Sequence, residues 1–220
     1  MVRLFRLTVT KAGCTLCNLS EAAGVNARMI IEARRLDGKH LWLEPLREEH
    51  RAEMQTTLAS DPDNWLIQST SALGDHFPAY WAAMMDTPGR VTLVAFAKSD
   101  GRMAGTSSMF DINPQHRTLE VGYTWFRPEY RGTAINPEAK LLMLGQAFCA
   151  GARRVQFSVS SVNERSQAAM LKLGAKQEGR LRNHRITWTG ASRDTVLFSI
   201  TDQEWPDVKQ GLSDRLSALS

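Results

Sequence analysis

Alternation of hydrophobic and polar residues predicts seven β-strands between residues 41 and 201. Three of these strands follow one another, and Ser99-Asp100-Gly101 predicts a tight hairpin turn between the first two of the three. The predicted strands cover residues 41–46, 91–98, 102–111, 117–126, 154–160, 177–188 and 193–201.

Hydrophobic residues at helical spacing predict five helices in the same part of the chain. Two of these helices are followed by Gly151 and Gly174, and glycine commonly occupies the position just after a helix. The predicted helices cover residues 47–60, 74–85, 137–150, 163–173 and 202–216.

The order of these elements predicts the α/β (α+β) class, with a mixed, mostly antiparallel twisted sheet of about seven strands flanked by helices. A helix crosses over between the strands at 117–126 and 154–160, so these two strands are expected to pair in parallel. If they separate at one end, the gap exposes backbone donors and acceptors to a slender ligand.

The turn after the strand at 117–126 has the composition of an anion-binding site. Small residues let successive backbone N–H groups point at one place, and the start of the next helix adds unpaired donors. A turn that needs glycine only in order to fold explains the same residues. The turn consists of Arg131, Gly132, Thr133 and Ala134, followed by Asn136 as the predicted N-cap, Pro137 at the first helical position and Glu138 in the first turn.

Two common nucleotide-binding motifs are absent from the sequence, which argues against nucleoside triphosphates and dinucleotides as the phosphate ligand. The chain contains no G-x-x-x-x-G-K-[ST] loop, and no G-x-G-x-x-G followed by an acidic residue about twenty positions later. A pyrophosphate that is neither hydrolysed nor part of a nicotinamide cofactor indicates a group carrier such as coenzyme A.

The size of the chain, 220 residues, suits one domain with an appendage, and we expect a loosely ordered extension at residues 1–35 and a domain at residues 36–220. No apolar run approaches the roughly eighteen residues of a membrane span, and the first residues lack the apolar centre of a secretory signal. We therefore expect a cytoplasmic protein with no membrane partner.

The net charge of +4 is spread along the chain, so nucleic acid is not an expected partner. Part of this charge can serve an anionic cofactor near the turn, at Arg127, Arg131, Lys140, Arg153 and Arg154.

The three cysteines are an odd number, which favours reduced thiols in a chain without a secretory signal. Cys14 and Cys17 have the C-x-x-C spacing of zinc or redox sites, but no second cysteine or histidine pair completes four ligands. We therefore predict no metal site.

Three short motifs occur in order along the domain: E-V-G-Y from Glu120, R-G-T-A-I-N-P-E-A from Arg131, and Asn163-x-x-Ser166 followed by L-G-A from Leu173. With their spacing, they resemble the GCN5-related N-acetyltransferase (GNAT) superfamily over about residues 39–210. The similarity is to its ribosomal-protein N-terminal acetyltransferase-like (RimJ/RimL-type) branch, in which the corresponding motifs are E-x-G-Y, R-G-x-G-Y-A-T-E-A, and N-x-x-S with L-G-F.

The resemblance implies the GNAT fold, with acetyl-CoA bound where the parallel strands separate. It implies that Tyr123 and Trp125 lie at this cofactor site and that Asn163 bonds the pantetheine arm. The backbone amides that would hold the pyrophosphate belong to Arg131, Gly132, Thr133, Ala134, Ile135 and Asn136.

The resemblance also selects two catalytic candidates. Glu120 is the candidate base, directly or through water, and strict alternation places it on the strand face opposite Tyr123 and Trp125. An exposed strand carboxylate is the alternative. Many relatives protonate the leaving thiolate with a tyrosine, whose position here is Met170, so the resemblance points instead to Ser166. A residue that caps the helix backbone is the alternative for Ser166.

His184 and Trp81 are the candidates for the acceptor site. His184 lies in the penultimate predicted strand, near where an acceptor would enter, and could assist deprotonation. A structural strand histidine is the alternative, and for Trp81 the alternative is core packing within an aromatic-rich helix.

The function implied is transfer of an acetyl group from acetyl-CoA to a primary amine by direct attack, with a protein or peptide N-terminus as the favoured acceptor. The same chemistry on a small amine (a polyamine, an amino acid or an antibiotic) remains open. A non-catalytic module that binds acyl-CoA also remains open, because Glu129 and Met170 depart from the superfamily pattern. Domains of this kind often form homodimers through their last strands or helix.

Overall fold

The computed structural model describes residues 29–219 and contains an eight-stranded β-sheet. Seven strands are those predicted from the sequence, and the eighth is a two-residue edge strand, β1 (Leu36–Asp37). Cys14, Cys17 and most of the predicted extension lie outside the described residues, and the domain boundary at residue 35 stays a prediction. The other strands are β2 (Leu41–Pro45), β3 (Val91–Ala97), β4 (Met103–Asn113), β5 (Thr118–Phe126), β6 (Arg154–Ser160), β7 (Lys176–Ile186) and β8 (Ser192–Thr201).

The strand order is β1-β2-β3-β4-β5-β6-β8-β7, and every neighbouring pair is antiparallel except β5 and β6. This confirms both the mostly antiparallel sheet and the predicted parallel pair. The edge strand β7 is exposed along almost its whole length.

Helices cover both faces of the sheet. Sheet residues alternate between the two sides: Val94 packs with the first three helices, whereas Leu93 and Ala95 pack with the last three. No helix in the described part of the chain has the length and hydropathy needed to cross a bilayer. The α1–α3 layer consists of α1 (Arg51–Ala59), α2 (Pro62–Leu66) and α3 (Phe77–Met85), and the α4–α6 layer of α4 (Ile135–Cys149), α5 (Glu164–Leu173) and α6 (Trp205–Ala218).

The predicted helix at residues 47–60 is wrong in detail. A 3-10 turn at Glu48–His50 precedes α1, which ends at Ala59, and Pro62 begins the separate helix α2. Proline suits the first helical position because its fixed φ matches the helix and its missing N–H would be unpaired there anyway.

The predicted start of α4 is also wrong, because the helix begins at Ile135 and Asn136 is therefore not its N-cap. Thr133 takes over part of the capping, since its Oγ1 accepts a hydrogen bond from the Ile135 N–H at 3.3 Å. Pro137 is tolerated deeper in the first turn than predicted, because N–H groups there have no helical acceptor.

A β-bulge in β5 changes the predicted face of Trp125. The β4–β5 register shifts beside it, and Tyr123 has a φ of 48°, in the left-handed region that residues other than glycine rarely adopt. After the bulge the alternation is reversed: Val121 and Phe126 pack in the α4–α6 layer, whereas Trp125 packs in the α1–α3 layer. Strict alternation places Trp125 on the same face as Val121, and this prediction is wrong.

Residues before β1 pack against α4. Met29 is 1% exposed and belongs to the hydrophobic core of the α4–α6 layer. The Gln146 side chain donates a hydrogen bond from Nε2 to the Glu32 carbonyl at 2.7 Å. The described part of the predicted extension is thus in contact with the domain.

Glu138 does more than favour the start of α4. Its buried carboxylate accepts hydrogen bonds from the backbone N–H groups of Lys39, His40 and Leu41, at 2.7, 2.7 and 2.9 Å. The carboxylate comes so close to Gly38 that a Cβ there would clash with it, which explains the glycine. Glu138 therefore ties the β1–β2 turn to α4.

We predict that Glu138→Ala lowers the free energy of unfolding by about 3 kcal/mol, because each buried donor left without an acceptor costs about 1–3 kcal/mol. Urea denaturation measures the change. The control is Glu164→Ala in the exposed first turn of α5, which should cost less than about 1 kcal/mol. Equal losses for both variants would contradict the role of the three hydrogen bonds.

Candidate active site

The parallel strands β5 and β6 pair over only three residue pairs and then separate, as predicted. Beyond the last pair, Glu120 and Gln156, the strands border a cleft of about 320 Å³. This cleft, formed by residues 121–126 of β5, residues 157–160 of β6, and parts of α4 and α5, has the size of an ordinary ligand pocket.

The turn before α4 borders the cleft and offers unpaired backbone donors. Gly132 has a φ of 78°, open space around its Cα, and contact with the cleft. Within the described residues, the N–H groups of Gly132, Thr133 and Ala134 have no hydrogen-bond acceptor, whereas the Arg131 N–H is bonded inside the turn. Successive unpaired N–H groups just before a helix are a site for phosphate.

Side chains from the α2 region fix the two sides of the cleft. The Arg131 guanidinium donates from Nε to the Phe126 carbonyl at 2.9 Å and forms an ion pair with Asp61. Arg165 of α5 donates from Nη2 to Asn64 Oδ1 at 3.0 Å. These contacts join α2 to the turn on one side and to α5 on the other.

The lining of the cleft is basic. In the part of the chain that the structure describes, no carboxylate lines the cleft, whereas four basic residues do: Arg131, Lys140, Arg165 and Arg215. Burial and the neighbouring Arg131 lower the pKa of Arg165, which indicates that these positive charges are close together. An anionic ligand is favoured by such a lining.

Lys140 is the most unusual of these residues, because it is only 5% exposed. Its Nζ donates a hydrogen bond to Thr124 Oγ1 at 2.9 Å and lies 5.8 Å from the ring centre of Phe157. Burial lowers the pKa of Lys140 from 10.5 to about 8, and no charged neighbour in the described part of the chain offsets this effect. A buried ammonium group without a counter-ion lowers the free energy of unfolding, so the charge of Lys140 destabilises the folded protein.

Three buried polar atoms of residues that line the cleft have no hydrogen-bond partner among the described residues, namely Asn64 Nδ2, Trp125 Nε1 and Asn136 Oδ1. Buried polar groups are normally hydrogen-bonded, so these atoms suit a polar ligand. Tyr123 borders the cleft too, with the Arg90 guanidinium 4.1 Å from its ring centre.

The start of α5 brings two predicted residues to the cleft. Asn163 is the N-cap of α5, since its Oδ1 accepts a hydrogen bond from the Ser166 N–H at 3.0 Å. Ser166 is half-buried, and its hydroxyl has no partner in the described part of the chain. Both residues line the cleft together with Met170.

Glu120 lies in a second space, the small pocket, with a volume of about 120 Å³. The side chain is 8% exposed, and Gln156 Nε2 donates a hydrogen bond to its Oε2 at 3.0 Å. The alternative of an exposed strand carboxylate is therefore wrong. Gly122 and Tyr123 line both the small pocket and the cleft, so the two spaces meet beside the bulge.

The two candidates for the acceptor site lie outside both spaces. Trp81 is 4% exposed in the α1–α3 layer, where its Nε1 donates to Glu48 Oε2 at 3.2 Å, so core packing accounts for it. His184 lies on the exposed strand β7, with Nδ1 3.0 Å from the Thr195 hydroxyl. Thr195 lines the small pocket, and His184 is thus one residue removed from it.

Three residues of the site gave only weak signals in the sequence. Lys140 stood out only as one of several basic residues near the turn, although its spacing of four from Asn136 places both on one helix face. Arg185 and Arg193 meet at the small pocket because β7 and β8 pair in one particular register, which the sequence alone does not specify.

Comparison with known proteins identifies the family. Residues 40–176 match the family model of the acetyltransferase (GNAT) domain. A solved structure from T. thermophilus, described as an acetyltransferase, is 36% identical with a TM-score of 0.78, over 86% of this chain and 100% of that chain. A search of curated proteins gave no significant match.

Two further structures share the fold at lower identity. Mycobacterium smegmatis RimJ in complex with CoA-disulfide has a TM-score of 0.68 at 20% identity, over 80% of this chain and 88% of that chain. The ribosomal-protein-S5-alanine acetyltransferase of Vibrio fischeri has a TM-score of 0.64 at 18% identity, over 78% of this chain and 98% of that chain. The family match over most of the chain agrees with the basic cleft between separating strands, and this chain belongs to the GNAT family of acetyl-CoA-dependent N-acetyltransferases.

Proposed function

We propose that the chain transfers the acetyl group of acetyl-CoA to a primary amine by direct attack, with the carrier in the cleft and the amine beside Glu120. The observation that carries this proposal is the opening of the sheet: β5 and β6 separate after three residue pairs, and the cleft and the small pocket meet at Gly122 and Tyr123. Aligning two bound groups at one opening accelerates their reaction without an enzyme nucleophile.

The cleft fits coenzyme A in its charge and in its unpaired polar atoms. The N–H groups of Gly132, Thr133 and Ala134 would hold the diphosphate, and the basic lining would neutralise its charge. Trp125 Nε1 and Asn136 Oδ1 would form hydrogen bonds with polar groups of the pantetheine arm. Asn163, Tyr123 and the edges of the strands would also border this arm. When bound, acetyl-CoA supplies a thioester that is activated toward amines.

Glu120 is proposed as the general base. Its carboxylate is held at Oε2 by Gln156, which leaves Oε1 to accept a proton. From the small pocket, Oε1 would take this proton from the acceptor ammonium group, directly or through one water.

Lys140 and Ser166 are proposed to assist the coenzyme A thiolate as it leaves, Lys140 as proton donor and Ser166 as hydrogen-bond donor. Met170 lines the cleft but has no proton to give, and a serine hydroxyl can donate a hydrogen bond without releasing its proton at neutral pH. Lys140 Nζ, whose pKa burial lowers to about 8, can pass a proton to the sulfur and then recover one from solvent.

A protein or peptide N-terminus is the proposed acceptor. Its support is the fold shared with RimJ and with the ribosomal-protein-S5-alanine acetyltransferase, together with the exposed strand β7 beside the small pocket, which leaves room for a chain. The second candidate is a small amine undergoing the same chemistry, which the 120 Å³ of the small pocket favours.

Thiol release from acetyl-CoA, measured against peptides with free N-termini and against small amines, tests the proposed function. We expect release that depends on the amine, with an acetylated product seen by mass spectrometry. Peptides with blocked N-termini and no lysine are the matched control, since they offer no amine. Calorimetric binding of CoA with no turnover of any acceptor would instead identify a non-catalytic acyl-CoA-binding module.

A further inference from the structure

The small pocket contains two arginines that face each other across neighbouring strands. Arg185 of β7 and Arg193 of β8 are direct partners in the register of the two strands, and both line the pocket that contains Glu120. Like charges at directly opposite positions of an antiparallel pair destabilise the sheet. The fold therefore holds two positive charges together at a cost in stability.

Neither arginine is neutralised within the described residues. The Arg185 side chain has no hydrogen bond or ion pair there, and the Arg193 side chain has only a long contact from Nη1 to Ser160 Oγ, at 3.4 Å. Asp194 also lines the pocket, but its carboxylate accepts hydrogen bonds from Arg180 Nε and from the Asn183 N–H, both at 2.8 Å. These bonds lower the pKa of Asp194, and within the described residues its carboxylate is ion-paired with Arg180 and with neither Arg185 nor Arg193.

We propose that Arg185 and Arg193 form an anion subsite for the acceptor, so that the preferred acceptor is an amine that also carries a carboxylate or a phosphate group. This proposal rests on the proposed function, in which Glu120 receives the amine. The pocket then has complementary charges for both ends of such a molecule: a carboxylate for the ammonium group and two guanidinium groups for the anion. Guanidinium groups match both carboxylate and phosphate, because their planar donors can form paired hydrogen bonds.

Acceptors that differ only in the charge next to the amine test the subsite. In the peptide series, each acceptor is a dipeptide amide with alanine at its N-terminus. The second residue is aspartate, asparagine, lysine or phosphoserine. In a small-amine series, a four-carbon amine ends in a carboxylate, a carboxamide or a second amine. We expect kcat/KM to be about 10-fold or more higher for the anionic member than for the neutral one, because hydrogen bonds between charged groups are stronger than those to a neutral group. The aspartate and phosphoserine arms show which anion is preferred.

Variants of the arginines sharpen the test. The double variant Arg185→Glu/Arg193→Glu should reverse the preference in favour of the cationic acceptor, while the affinity for CoA, measured by calorimetry, stays unchanged. The matched control is Arg182→Gln, which removes an exposed charge from the same strand but not from the pocket, and should keep the wild-type preference.

The outcomes separate this proposal from the proposed function. Wild-type turnover at equal kcat/KM for anionic, neutral and cationic acceptors would overturn the anion subsite and leave the transferase intact. Absence of turnover with every acceptor would overturn the proposed function itself. Because the wild-type comparison needs no variant, the test holds even if the double variant fails to fold. The anionic preference of the wild type should also weaken as salt is added, since added ions screen charges in a partly exposed site.

Discussion

Glu120→Gln is expected to lower kcat for acetyl transfer by about 10²–10⁴-fold, the range that a positioned acid or base contributes. Glutamine keeps the size of the side chain, and its carbonyl oxygen can still accept the hydrogen bond from Gln156 Nε2. The fold of the small pocket should therefore persist, and the lost property is the basic oxygen that takes the proton of the amine. The thiol-release assay measures the effect.

Glu129→Gln is the matched control for this variant. Glu129 is half-exposed and ion-paired with Arg102 and Arg127, at 3.7 and 3.6 Å, and it lines neither the cleft nor the small pocket. This control should keep both the wild-type rate and the wild-type affinity for CoA. A wild-type rate for Glu120→Gln would mean that Glu120 is not the base and that the amine loses its proton by another route.

The sheet and its opening could be predicted because local signals determine them. The hairpin at Asp100-Gly101 and the crossover helix between β5 and β6 follow from turn residues and periodicity, and together they require one parallel pair in an antiparallel sheet. The turn at Gly132 was predicted for the same reason, since a glycine with positive φ before a helix is visible as a motif.

The bulge could not be predicted, because its cause is not local. Tyr123 adopts a positive φ that nothing in its own identity favours, and it does so because the β4–β5 register shifts there. One extra residue in β5 moves Trp125 to the α1–α3 layer and leaves its Nε1 unpaired at the cleft. Strict alternation fails at the point where the cleft and the small pocket meet, which is where the proposed chemistry requires irregular backbone.

The burial of Lys140 is a second feature that could not be predicted from the sequence. Lysine is rarely buried without a partner, so its position on a helix of mixed composition predicts an exposed side chain. In the structure Lys140 is buried at the opening between β5 and β6, where Thr124 of β5 is its one hydrogen-bond acceptor in the described residues and Phe157 of β6 lies beside its Nζ. Such a position depends on tertiary structure, and a local pattern cannot indicate it.

Lys140→Met is expected to raise the free energy of unfolding by about 3 kcal/mol at pH 7. In the folded protein the pKa of Lys140 falls from 10.5 to about 8, so between these values the unfolded chain holds a proton that the folded chain lacks, and stability rises with pH. The penalty is therefore complete below pH 8 and declines as the pH approaches 10.5. Methionine has a similar length and no charge. The gain in the free energy of unfolding from Lys140→Met should therefore fall at pH 9.5 to about half of its value at pH 7.

Urea denaturation of both proteins at pH 7 and pH 9.5 measures this difference. The matched control is Lys172→Met, at an exposed position near the end of α5, which should gain nothing at either pH. Lys140→Met should also lower kcat by about 10-fold or more, because the positive charge that favours the departing thiolate is gone. A more stable but slower enzyme is the expected result for a charge that is kept for function. Equal stability of wild type and variant at pH 7 would show that burial does not penalise Lys140, and an unchanged kcat would remove it from the mechanism.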